Sequence, residues 1–166
     1  MKALLYSGLI ALALAACTTK PEAPKTDLYQ EITASDARYD SSLATRLKAD
    51  EYGMHQYVLA YLKSGPNRSQ DSVEAAALQK AHLENIMRMA EAGKLVLAGP
   101  FLDEGEVRGI YIFDVPTVEE ARALTETDPA IQFGRLIMEL HPWYGSAALP
   151  LLTPLHNRLE KKSITN

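Results

Sequence analysis

Apolar and polar residues between positions 54 and 141 fall into blocks, and each block has the period of one kind of element. Residues 54–63 (MHQYVLAYLK) are rich in strand formers and predict a strand. Tyr57, Leu59 and Tyr61 fall on one face of it, and Val58, Ala60 and Leu62 on the other, so both faces need cover. Residues 64–70 (SGPNRSQ) are a turn-rich loop. Asp71, with Glu74 three residues on, is a capping box that opens a helix. Val73, Ala76, Ala77, Leu83, Ile86, Met87 and Ala90 follow its 3.6-residue period, and Gly93 supplies the stop. Residues 95–98 predict a short strand closed by Gly99-Pro100. Residues 103–106 (DEGE) predict a turn, and 107–115 (VRGIYIFDV) a third strand that pairs with the second as a hairpin. After Pro116, Thr117 and Glu120 form another capping box, with Val118, Ala121 and Leu124 on one face. Asp128-Pro129 interrupts that helix, because a residue before proline avoids the helical region. A short helical stretch over 130–134 and a fourth strand over 136–141 (LIMELH) complete the pattern.

The order strand–helix–strand–strand–helix–strand predicts an α+β fold of the ferredoxin-like βαββαβ type, with a four-stranded antiparallel sheet and its helices on one face. No further helix is left for the other face. The apolar residues on both faces of the first strand therefore predict that two copies pair sheet to sheet as a homodimer.

The flanks have other tasks. Lys2 precedes an apolar run from Ala3 to Ala16, which has the pattern of a secretory signal peptide and is too short for a spanning helix. Leu14-Ala15-Ala16-Cys17 resembles the lipobox of bacterial lipoproteins. That resemblance implies cleavage before Cys17 and lipidation of its thiol, and Thr18 after it implies sorting to the outer membrane. The expected organisation is a signal peptide at 1–16, a lipidated tether at 17–27 that contains Pro21 and Pro24, a partly helical extension at 28–53, a domain at 54–145 and a tail at 146–166. The lipid would supply the membrane contact, and the domain would face the periplasm.

Composition narrows the chemistry. The chain has 166 residues, 47% of them apolar and 23% charged, with a net charge of −4 and no basic block. This suits one globular domain and argues against a nucleic-acid partner. A single cysteine excludes an internal disulfide. His55, His82, His141 and His156 lack metal-ligand spacing, and neither a phosphate-binding glycine loop nor a nucleophile motif occurs, so no metal or cofactor is expected.

Several pieces then match a known pattern in combination. They are the first strand, AHLENIMRMAEAGKLVLAGPF (81–101), the strand around Gly109, TDPA (127–130) and HPWYG (141–145). Residues 54–145 resemble the YCII-related (YciI-like) family in a secreted form. The resemblance implies the dimeric α+β barrel, a fold similar to that of muconolactone isomerase and of some haem and monooxygenase proteins. It also implies a catalytic pair, a histidine on the first helix and the aspartate of Asp-Pro, which fall on His82 and Asp128.

Residue chemistry is compatible with that pair. An imidazole suits proton transfer near neutral pH, and a carboxylate can orient it. Asp128 is also a natural N-cap with proline at the next position. Lys63, Asn67 and Arg68 follow the first strand, and Arg68 would suit an anionic substrate. Tyr57, Tyr61, Tyr111, Trp143 and Tyr144 could line an aromatic pocket or belong to the core, with Trp143 the candidate for substrate contact. Two functions follow. One is a small cofactor-independent enzyme of isomerase, lyase or dehalogenase type that acts on a small molecule through His82 and Asp128. The alternative is a non-catalytic small-molecule-binding or accessory envelope lipoprotein.

Overall fold

The computed structural model describes residues 39–164. The expected signal peptide, the tether with Cys17 and the beginning of the N-terminal extension lie outside the described residues. In chain order the elements are α1 (Ser41–Arg46), β1 (Met54–Ser64), α2 (Ser72–Glu91), β2 (Leu95–Pro100), β3 (Val107–Phe113), α3 (Val118–Thr125), α4 (Pro129–Gln132), β4 (Leu136–Ser146), a 3₁₀ turn (Leu149–Leu151) and α5 (Leu152–His156). The sheet order is β2-β3-β1-β4 and every neighbouring pair is antiparallel. This is the ferredoxin-like arrangement expected from the sequence. Among the described residues no helix is long and apolar enough to cross a membrane.

Local chemistry sets the helix starts. Asp71 Oδ1 accepts hydrogen bonds from the amides of Val73 and Glu74 at the start of α2. Thr117 Oγ1 does the same for Glu120 in α3, and Asp128 Oδ1 for Ala130 in α4. Each side-chain oxygen satisfies an amide that has no partner within its helix.

Strand parity sets the core. Val58, Ala60 and Leu62 of β1 share a face with Tyr111 and Phe113 of β3, because Val58 pairs with Phe113 and Ala60 with Tyr111. Met89 of α2 and Ala121 of α3 close over that face, with Leu136, Met138 and Leu140 of β4 alongside. The line of α2 that meets the sheet differs from the expected stripe. Its buried residues are His82, Asn85 and Met89, and Val73 is exposed. Leu83 and Ile86 are half-buried and border a cavity, and Ile86 also packs against the core.

On the opposite sheet face the chain does supply a further helix, which the sequence pattern did not provide for. That face is partly covered by the chain itself: Tyr57, Val96 and Ile112 are buried beneath Trp143 and Leu149. The 3₁₀ turn and α5 both pack on β2, so the segment after β4 folds back to supply this cover.

β4 is also longer than its sequence suggests. It continues past His141 to Ser146, and all eleven of its residues pair with β1, from Leu136 opposite Ser64 to Ser146 opposite Met54. Pro142 is tolerated within it because β4 is an outermost strand, where a missing amide costs little. Gly145 lies under the Trp143 ring, where a Cβ would stand only 2.1 Å from a ring carbon.

Candidate active site

His82 projects from the buried line of α2 toward β3 and the start of α4. Its Nδ1 lies 2.6 Å from Asp128 Oδ2. Asp128 is 1% exposed and His82 7%. The other Asp128 oxygen accepts the Ala130 amide at 2.8 Å, so the helix cap fixes the carboxylate that meets the imidazole. Capping and histidine contact are thus simultaneous, one through each oxygen.

The carboxylate oxygen is an acceptor, which assigns the proton of a neutral His82 to Nδ1. Nε2 is left with a free electron pair. Tyr111 Oη lies 3.3 Å from Nε2, and the two rings stack at 6.3 Å with planes 19° apart. Burial, reinforced by the Asp128 charge, pushes the Tyr111 phenol well above its ordinary pKa. The phenol therefore stays protonated and donates to Nε2 at rest.

A second set of polar contacts ties the Asp128 segment to the same helix. Arg88 Nη2 donates to Asn85 Oδ1 at 2.5 Å and to Thr127 Oγ1 at 2.8 Å. Thr127 Oγ1 lies 3.1 Å from Asn85 Oδ1. His82, Asn85 and Arg88 follow one another at three-residue intervals, so a polar line of α2 grips the residue before Asp128 as well as Asp128 itself.

His82 and Tyr111 open onto a cavity of about 370 Å³, bordered by Leu83, Ile86, Phe101, Arg68 and Arg135 among others. Of the residues expected at the site, His82, Asp128 and Arg68 are brought to this region. Lys63 is not: it pairs with Glu139 at 2.5 Å. Trp143 also lies elsewhere. It is opposite Tyr57 in the strand register, with the rings 5.9 Å apart, on the sheet face away from α2. A smaller hollow of about 220 Å³ is bordered by Tyr57, Trp143 and Tyr144. Of the five aromatics considered for a pocket, Tyr111 alone borders the cavity at His82. Tyr61 meets His141 edge to face.

Arg135, Asn85, Arg88 and the hydroxyl of Tyr111 escaped the sequence reading. The three-residue spacing from His82 was a visible signal for Asn85 and Arg88. Nothing local marked Arg135, which reaches the cavity through a long-range loop contact. Among the described residues no group of three or more His, Cys, Asp or Glu is arranged to hold a metal ion.

The fold and this geometry define a class: a ferredoxin-like α+β domain that carries a buried His–Asp pair at the wall of a small cavity. The chain belongs to the YCII-related domain family, which matches residues 57–143. A solved structure similar in fold is 5-chloro-2-hydroxyhydroquinone dehydrochlorinase from Burkholderia phenoliruptrix AC1100, in complex with 2,5-dihydroxybenzoquinone. It is 22% identical, with a TM-score of 0.40, and the likeness covers 52% of this chain and 92% of that one. No curated protein matches the chain.

Proposed function

We propose that the protein is a small enzyme that moves a proton on a small molecule held in the cavity, with His82 as general base and then general acid. The observation that carries this reading is the 2.6 Å contact of His82 Nδ1 with a buried Asp128, which leaves Nε2 as the acceptor beside the cavity. Nε2 takes a substrate proton, Asp128 stabilises the imidazolium, and the same nitrogen returns the proton at another atom or to a leaving group. Tyr111 positions the ring and donates to Nε2 between turnovers. Isomerisation, elimination of water and loss of halide all fit one such proton relay. No bound cofactor enters the scheme.

The test is turnover of a panel of small lactones and of halogenated or hydroxylated ring compounds by the wild type and by His82→Ala. Loss of about 10²–10⁴-fold in kcat is the range for a positioned acid–base group. Unchanged turnover in a folded variant would overturn the assignment. Asp128 also has a purely structural task as the cap of α4, which favours the non-catalytic binding reading if His82→Ala leaves the chemistry intact.

Two further expectations belong to the same proposal. The sequence around Cys17 supports a lipoprotein anchored in the bacterial cell envelope, on the outer membrane facing the periplasm. Labelled palmitate should enter the wild type and not Cys17→Ala. The half-buried Leu59, Tyr61 and Ile110 and the exposed Ile137 support pairing of two copies through the sheet face that the C-terminal segment leaves open. Sedimentation of the wild type as a dimer and of Tyr61→Arg as a monomer would bear this out.

A further inference from the structure

The chain as a whole is acidic, yet the cavity at His82 is bordered by Arg68, Arg108 and Arg135 and by no aspartate or glutamate. None of these arginines enters an ion pair among the described residues. Arg108 Nη1 turns to the carbonyls of Asp103 and Gly105 in the β2–β3 turn. Arg68 and Arg135 differ from it. Arg68 makes no hydrogen bond to a described residue. Arg135 is held at one nitrogen only, by Gln70 Oε1 at 2.5 Å.

The backbone laces these two positions together. Gly65 donates to Arg135 O at 2.8 Å and Asn67 to Gly134 O at 3.1 Å, while Asn67 Nδ2 donates to Phe133 O at 3.0 Å. The loop after β1 and the segment before β4 thus form one unit that delivers two guanidinium groups to one cavity. Gly65 permits the approach, since a Cβ there would stand 2.2 Å from Gly134 O. The same cavity is bordered by the apolar side chains of Leu83, Ile86 and Phe101. A cavity of about 370 Å³ is at the small end of ligand sites.

We propose that this cavity binds a small organic carboxylate, its charged end on Arg68 and Arg135 and its apolar body against Leu83, Ile86 and Phe101. The planar fork of a guanidinium matches a carboxylate with two parallel hydrogen bonds. An apolar wall suits a ring or short chain, and it places that body beside His82 Nε2. The inference rests on reading this cavity as the working site and adds the substrate class to it.

The experiment is isothermal titration calorimetry on the full chain in detergent, with benzoate and with benzyl alcohol, which has the same ring and no charge. Benzoate should bind about tenfold or more tightly than the alcohol, the value of a charge-assisted hydrogen bond. Its affinity should fall as salt rises. Arg68→Met and Arg135→Met should each erase most of that preference and leave the alcohol unchanged. Arg68 is exposed and holds no other described group, so its variant keeps the test valid if Arg135→Met fails to fold. Equal binding of the two probes, no binding of benzoate, or a preference that survives Arg68→Met overturns the inference. His82→Ala separates the two claims. Turnover lost without a benzoate preference leaves the catalytic reading and removes this one. A benzoate preference with turnover indifferent to His82 does the reverse.

Discussion

Asp128 meets His82 with one carboxylate oxygen while its other oxygen holds the first turn of α4. Asp128→Asn separates these two tasks. Asparagine caps helices as well as aspartate, so stability should stay near that of the wild type. Its oxygen would keep the Ala130 amide, and its amide nitrogen would then face His82 Nδ1. That forces the ring proton onto Nε2, and the acceptor is lost. Turnover should fall by about 10²–10⁴-fold, and the ring nitrogen chemical shifts in NMR should report the exchanged tautomer. An unchanged tautomer would contradict the assignment.

Asn85 bears on the same pair from a distance. Its Oδ1 is met by both Arg88 and Thr127 in a site where Asn85 is only 7% exposed. Asn85→Ala takes one acceptor from each, leaving Arg88 with Thr127 Oγ1 and the Thr127 hydroxyl with Leu124 O. Chemical denaturation should show a loss of about 1–3 kcal/mol. A role in positioning Asp128 requires more than lost stability: kcat should fall with KM little changed, and Asn85→Asp should restore part of it.

Gly65→Ala tests the lacing of the arginine segment. The added methyl meets backbone atoms of Gly134 and Arg135, which cannot swing aside as a side chain could. The expected cost is about 1–3 kcal/mol from overpacking, read from the denaturation midpoint. Benzoate affinity should fall with it, because Arg68 and Arg135 lose their common anchor.

Two tyrosines set the alkaline limit. Burial pushes the Tyr57 phenol up to about 12, with the Asp114 charge adding to it, and Tyr111 is raised further by burial and by Asp128. The folded state thus holds these protons more tightly than the unfolded chain, whose tyrosines ionise near ~10. The resulting stability is complete below about pH 10 and is lost as pH rises through the folded values. Phenolate absorbance should show both residues ionising late and together with unfolding, and Tyr57→Phe should flatten the decline between about pH 10 and 12.

The order of elements and the helix caps were legible because they depend on short-range chemistry: Asp71, Thr117 and Asp128 each sit a few residues from the amides they hold. His82 and Asp128 were legible only as members of a resembling family, since their contact spans 46 positions. Three features had no local signature. Pro142 hides the end of β4, because only sheet order tells that this strand is outermost. The face taken by Trp143 depends on its register with Tyr57. The phase of α2 is not legible from its apolar stripe, because Leu83 and Ile86 border an opening, Ile86 touching the core as well, and the polar His82 and Asn85 take the buried line with Met89. Arg135 was invisible for a similar reason: its partner segment lies some 70 residues earlier, as the bond from Gly65 to Arg135 spans 70 positions.

Both outer strands of the sheet contain a proline, Pro142 inside β4 and Pro100 at the end of β2. Each removes an amide from a border that would otherwise template another strand. Growth of the sheet from chain to chain is therefore blocked at two points. If the lipid proposed at Cys17 concentrates the chain on a surface, such borders would let it crowd without polymerising. The pairing of two copies proposed above would instead use the flat of the sheet, where contact closes on itself after two molecules.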